Sequence, residues 1–283
     1  MTFNTIYGVD FSGAKLAGRN TWVATLERRG GARRERYALT ELSCLENLCG
    51  TAERGPALAH LVDLVARSDG ALWALDAPFG LPIEVLDPGT RWPAQLEFLH
   101  DWGDDAYGVG LEFLDRAKRL GGPMHIRRLT DQEARAPFDC YHYRIIYQTF
   151  YGMRDVLRPL ARTRGTAILP FQYRRLSSAR RVLVEACPSS TLKRLGWPHQ
   201  NYKQPAGGPL TRKRLRTRRQ ILDALGRHVS ISPRHRRVMM RNGGGDAIDA
   251  VLAGVGVHHA WRDADHGAIA RHPRYVREGK LFY

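Results

Sequence analysis

Acidic side chains all but vanish from one long stretch of this chain. Between residues 158 and 241 only Glu185 and Asp223 are acidic, against 21 Lys and Arg. The rest of the 283 residues carry 26 acids and 23 bases, so the formal charge of +16 belongs to that stretch. An ordinary solubilising surface mixes both signs, whereas a basic block of this size points to a polyanion such as nucleic acid, or to an anionic membrane surface. Cysteine is scarce too. Cys44, Cys49, Cys140 and Cys187 form neither a CxxC pair nor a dense framework. That excludes a disulfide-built secreted scaffold and leaves buried thiols in a reducing cytoplasm. No apolar run approaches the roughly 18 residues of a transmembrane helix. The opening MTFNTIYGVD has no basic n-region and no long apolar h-region, so no secretory signal is expected. Repeats and low-complexity segments are absent as well.

What is present is globular. Apolar residues make up 43% of the chain, enough for a sizeable core. Residues 4–9 read as a short buried strand ending at Asp10, Asn20–Arg29 as a second and Glu35–Leu42 as a third. Leu58, Leu61, Val62 and Val65 follow at helical spacing, and Ala71–Leu75 is an apolar strand closed by Asp76 and Pro78. This β-β-β-α-β order predicts a meander and then a crossover to a strand beside the first. Residues 80–178 read as a helical insertion. It carries an acidic patch and a helix from about Asp139 to Ala161, whose rings (Tyr141, Tyr143, Tyr147, Phe150, Tyr151) are expected to pack on the main domain rather than on bases. Arg181–Ala186 is a further strand, Ser189 or Ser190 can cap the short helix after it, and Thr211–Arg227 is a basic helix. Gly243–Gly245 precede a last long helix, and the tail adds a short strand. One α/β domain over 1–283 is expected, with a mixed five-stranded sheet of order 3-2-1-4-5.

The acids that remain are placed in a pattern. Three apolar strands each end on one, followed by a small residue or a breaker: IYGVD-FSG, LWALD-APFG and VLVEA-CPSS. Sites in open α/β sheets form beyond strand ends. The fourth element is Asp246-Ala-Ile-Asp249, two acids on one face of a first helical turn; helix capping is the plainer account of that pair. Clustered carboxylates repel unless cations neutralise them, and hard oxygen donors suit Mg²⁺ or Mn²⁺. Two such ions about 3.5–4 Å apart can serve an in-line phosphoryl displacement. The candidate catalytic and metal-binding set is Asp10, Asp76, Glu185, Asp246 and Asp249. The candidate nucleic-acid contacts are Lys15, Arg212, Lys213, Arg214, Arg216, Arg218 and Arg219, with Leu215, Leu222 and Leu225 facing the core.

At these residues the chain resembles the ribonuclease H-like superfamily, in its branch of predicted nucleases that forms a domain-of-unknown-function family. The shared motifs are YGVDFSGAK, ALDAPFGLP, VEACPSS and DAIDAVLAG; the last is similar to the closing Asp-x-x-Asp helix of Holliday-junction resolvases. The resemblance implies a metal-dependent nuclease. Asp10 would be the first-strand carboxylate bridging two metals, Asp76 the fourth-strand acid, Asp246 and Asp249 the last-helix ligands and Glu185 an additional acid. A compact resolvase has no insertion like 80–178, so its junction-binding mode is not carried over.

Two other readings compete. An actin-like phosphotransferase also begins with an Asp and a Gly-rich phosphate turn, which GVDFSGAK with Lys15 fits loosely, but it needs two copies of its β-β-β-α-β-α unit and only one is evident. A non-catalytic nucleic-acid-binding module would carry the same basic stretch. Lesser features have plainer accounts. His258, His259, Asp263, Asp265 and His266 match no zinc spacing. His142 reads as a packed or surface histidine, and Ser12 fits turn chemistry.

Overall fold

A computed structural model describes residues 2–30, 36–204 and 207–283. β1 (Thr5–Asp10), β2 (Trp22–Arg29) and β3 (Arg36–Cys44) form the expected antiparallel meander; Glu35, the first residue of the third expected strand, lies outside the described residues. The helix Arg54–Arg67 carries the chain over to β4 (Ala71–Asp76), which pairs in parallel with the other side of β1. β5 (Thr166–Ile168) and β6 (Arg181–Ala186) follow in parallel with each other, and β6 lies beside β4. β7 (Val229–Ser230) adds to β3, and β8 (Leu281–Phe282) pairs with the end of β6.

The result is an α/β fold on one mixed sheet, β5-β6-β4-β1-β2-β3-β7 with β8 off that path, larger than the five strands expected. The extra members are two or three residues long, too short to carry an alternation or an apolar run. The region 80–178 is therefore not purely helical, because it contains edge strand β5. Its expected helix from Asp139 also begins late. Residues 139–145 are turns, and helix runs from Ile146, through a wider-wound stretch at Gly152–Leu157, to Arg162. Asp139 is the reason: its carbonyl and carboxylate accept from His142 N and Tyr141 N, a local turn that competes with helix.

Both sheet faces are covered. Val9, Val23, Trp73, Leu75 and Leu183 lie under the helix Arg54–Arg67 and the insertion. Ile6, Ala24, Leu26, Leu72, Ala74, Val182 and Val184 lie under the helix Asp246–Asp263. That helix is buried on every side from Ala247 to Val257, as a helix apolar all round must be. Two glycines let it settle on β1. A Cβ on Gly8 would stand 1.9 Å from the Ala250 carbonyl oxygen, and one on Gly254 would stand 2.9 Å from Leu26 Cδ1. Backbone rests on backbone, which fixes Asp246 and Asp249 near the carboxyl end of β1. Cys44, Cys140 and Cys187 are buried free thiols, and Cys49 is half-buried. Among the described residues no helix is long and apolar enough to cross a membrane.

A candidate active site at the carboxyl ends of β1 and β4

Strand register decides which acids meet. Asp10 stands directly opposite Asp76 in the parallel pairing of β1 and β4. Both point, like Gly8 and Ala74, to the face covered by the helix Asp246–Asp263. The side chains are within hydrogen-bond reach of each other. Asp249, 2% exposed, comes down from that helix onto the pair. Neither acid of the helix is spent on capping. Gly245 is the N-cap residue, at φ 93°, and Asn242 Oδ1 accepts from Gly245 N (2.9 Å) and Ala247 N (3.2 Å). Asp246 is half-buried and accepts from Asn242 Nδ2 (3.3 Å).

The charges of Asp10, Asp76 and Asp246 are poorly tolerated. Burial, then the nearby carboxylates of Asp249, Asp76 and Asp246, hold Asp10 well above the usual carboxylate range, with Lys203 opposing. Burial and Asp249 push Asp76 up to about 7. Burial also raises Asp246. The cation set among them is the ammonium of Lys203, which pairs with Asp249 Oδ2 while Tyr202 Oη donates to Asp249 Oδ1 (2.9 Å). Burial of the ammonium works against its charge, but Asp249, Tyr202 and Asp10 hold Lys203 well above its ordinary value. Its stem, by contrast, is open to solvent.

Glu185 is a correction to the expected set. It pairs with Leu75, not Asp76, so parity turns it to the opposite face of the sheet. There it is fully buried against Arg128, whose Nη1 and Nη2 donate to it at 2.9 and 2.5 Å, and it accepts from Phe79 N at 3.0 Å. The same guanidinium donates to Asp131 at 2.9 and 2.7 Å and to the carbonyls of Gly80 and Glu278. Glu185 thus belongs to a closed ion triad that ties β6 to the insertion and the C-terminal segment.

Asp10, Asp76 and Asp249 lie in a cleft of about 580 Å³ whose walls include Lys203 and Arg214, with Phe138 and Gln148 from the insertion; Glu185 and Arg128 also line it, held to each other, and Asp246 does not. The insertion is pinned above Asp10. Gln148 Nε2 donates to Phe11 O (2.6 Å), and a Cβ on Gly13 would meet the Tyr147 carbonyl oxygen at 2.0 Å. Among the described residues no three His, Cys, Asp or Glu side chains are disposed to hold a metal ion as they stand. The chemistry of Asp10, Asp76 and Asp249 nonetheless fits a hard divalent cation: all donors are carboxylate oxygens, they repel one another, and positive charge relieves them. Glu185, saturated by Arg128, does not fit.

The basic helix Arg212–Leu225 is rotated from expectation. Arg212, Lys213, Arg216 and Arg219 are exposed, and Leu215 is only half-buried. Arg214 donates to Lys203 O (2.7 Å) at the cleft wall. Arg218 is wholly buried, donating to the carbonyls of Tyr202 (2.6 Å), Met239 (3.0 Å), Met240 (3.3 Å), Asn242 (2.6 Å) and Gly243 (2.7 Å). It shares the face of Ile221, Leu222 and Leu225 and serves as a strut under Tyr202 and Asn242, so it cannot meet a phosphate. Lys15 is exposed in the loop after β1 and does not line the cleft. Ser12 Oγ accepts from Ala14 N, ordinary turn chemistry. The short helix after β6 is capped by Cys187 with Pro188 at its first position, not by Ser189 or Ser190. In the C-terminal cluster Asp263 pairs with Arg194, Asp265 caps Ala268 N and His266 meets Tyr173 Oη, all structural uses.

Sequence reasoning missed Lys203, Tyr202 and Arg128. Lys203 lies in an irregular segment with no periodicity, and its one signal was the need of clustered acids for a cation. Compared with family models, with curated proteins and with solved structures, the chain matches none.

Proposed function

We propose that this chain is a divalent-metal-dependent nuclease, ribonuclease H-like in the core β3-β2-β1-β4-β6 of its sheet, that hydrolyses phosphodiester bonds of nucleic acid. The observation that carries the reading is the side-by-side pairing of Asp10 and Asp76 at parallel strand ends, with Asp249 above them and a lysine ammonium in their midst. A basic surface beside the cleft supports a polyanionic substrate. The one acid of the helix Arg212–Leu225, Asp223, is taken by Arg236 (2.6 Å), which leaves Arg212, Lys213, Arg216 and Arg219 without carboxylate partners among the described residues.

Asp10, Asp76 and Asp249 would hold the ion, with Asp246 at the rim. Bound Mg²⁺ or Mn²⁺ supplies Lewis-acid polarisation of a phosphate and of a water. The chain's own groups do the rest. Burial and the neighbouring carboxylates favour a retained proton at the Asp10–Asp76 contact, which the two acids would give up in holding a cation. Lys203, on its open stem, can leave Asp249 for a phosphate oxygen, and Arg214 at the wall neutralises a flanking phosphate.

Asp10→Asn is expected to abolish Mn²⁺-dependent cleavage of a mixed panel of DNA and RNA substrates while leaving the circular dichroism spectrum unchanged. Undiminished cleavage by that variant overturns the assignment. Tight binding by the wild-type chain with no cleavage in either metal favours a binding module instead.

A further inference from the structure

Resting on the reading of the cleft as a nuclease site, we infer that its substrate is a single strand whose unpaired bases stack on the rings of residues 138–144. The insertion's rings divide into two groups. Tyr141, Phe150 and Tyr151 are buried, as expected of core packing. Tyr143 is 61% exposed and Tyr147 41%, and core packing does not account for them. Phe138 lines the cleft, and its ring stacks on His142 at 4.6 Å and 26°. His142 in turn meets Tyr143 at 4.5 Å and 32°. The three rings thus form a ladder from the cleft wall to the surface. Burial lowers the pKa of His142, which favours the neutral form of the middle ring.

Charge on the ladder has the sign a nucleic acid requires. The Arg144 guanidinium lies 5.5 Å from the Phe138 ring centre and 5.7 Å from that of Tyr143, and among the described residues no carboxylate pairs with it. Lys203 and Arg214 line the same cleft. The segment that carries the ladder is also braced at Tyr141 and Asp139 before any ligand arrives. Tyr141 Oη accepts from Ile126 N (2.6 Å) and donates to Met124 O (2.9 Å), and Asp139 Oδ2 meets His125 Nδ1 (2.8 Å). A braced backbone segment has less freedom to lose on binding.

These features select a strand without a partner. In a duplex each base face is covered by the next base pair, so no face is free for a protein ring; an unpaired strand offers every face. The cleft of about 580 Å³ has room for part of one strand. Rings and cations interleaved along a groove are how proteins hold single strands without reading their sequence.

The test compares a short fluorescein-labelled single strand, as DNA and as RNA, with the same strand annealed to its complement, using the full-length protein at fixed salt. Binding is followed by anisotropy, and stacking by quenching of a 2-aminopurine placed in the strand. At least one of the two single strands is expected to bind about tenfold or more tighter than its duplex and to be quenched. Tyr143→Ala and Phe138→Ala should each weaken it about tenfold, with Phe138→Trp retaining affinity and duplex binding unmoved. Equal affinity for single strand and duplex, or alanine variants that bind and quench like the wild type, overturns the inference. A Mn²⁺-dependent cleavage assay beside the binding assay separates the two claims. Single-strand preference without cleavage by the wild-type protein leaves this inference standing and removes the nuclease reading. Cleavage without that preference does the reverse.

Discussion

Two sets of acids meet near one cleft and are neutralised in opposite ways. Glu185 and Asp131 share the guanidinium of Arg128, and all three are almost wholly buried. Asp10, Asp76 and Asp249 share the ammonium of Lys203, whose stem is exposed. The Arg fork fills several acceptors at once and stays put, whereas the Lys head is a point charge on a flexible chain that can leave. An acid at a strand end is therefore not in itself the mark of a site. The mark is an acid whose counter-charge can be exchanged. By that test the first set is a rivet and the second is open to chemistry.

The sharpest way to break the contrast is to remove each cation. Arg128→Met strands two buried carboxylates and should cost about 3–5 kcal/mol, read as a drop in the urea midpoint at unchanged m value. Lys203→Met should cost less, because Asp10 and Asp76 can take up protons. Millimolar Mn²⁺ is expected to restore the midpoint of Lys203→Met and to leave that of Arg128→Met where it fell. Equal costs, or rescue of both, would erase the distinction.

A smaller effect follows from pH. Asp76 titrates near 7 in the folded chain, because burial and Asp249 disfavour its charge, and in the ordinary carboxylate range when unfolded. The folded state therefore holds the extra proton. Its contribution to stability is fully present below about pH 4 and is lost as pH rises through 7. In EDTA the wild-type chain should lose stability over that window. Asp76→Asn should flatten the profile and stabilise the protein at pH 8 by ~1–2 kcal/mol. Added Mn²⁺ should flatten the wild-type profile too. A wild-type profile that rises between pH 4 and 7 in EDTA would remove the case for a strained acid pair.

The same contrast marks where sequence reading runs out. The meander, the crossover to β4 and the long buried helix were legible, because each carries a sustained apolar pattern between clear breakers. The meeting of Asp10 with Asp76 was legible because both are the last residues of parallel neighbours. Glu185 was misread on one residue of parity: it stands one place before the end of β6, and a shift of one turns a side chain to the other face. Arg128 and Lys203 were invisible, since each acts from an irregular segment and earns its role only through contacts far along the chain. Arg218 was hidden by its composition. Nothing local says that one arginine of six cations within eight residues turns inward to five carbonyls.

That inward turn divides the basic helix as the two acid sets divide the cleft, and it yields the smallest of the expected effects. Arg216 and Arg219 are exposed and have no carboxylate partner among the described residues, so each is free to displace one counterion from a bound nucleic acid. Replacing either with Ala should lower the steepness of log K against log salt by about 0.7–0.9, and leave the urea midpoint within about 0.5 kcal/mol of wild type. Arg218→Ala should do the reverse, because it empties a strut beneath Tyr202 and Asn242 and takes no charge off the surface. A salt slope that responds to Arg218 as much as to Arg216 would mean that the basic helix meets phosphate through the fold it supports, and the division between holding and binding arginines would fall.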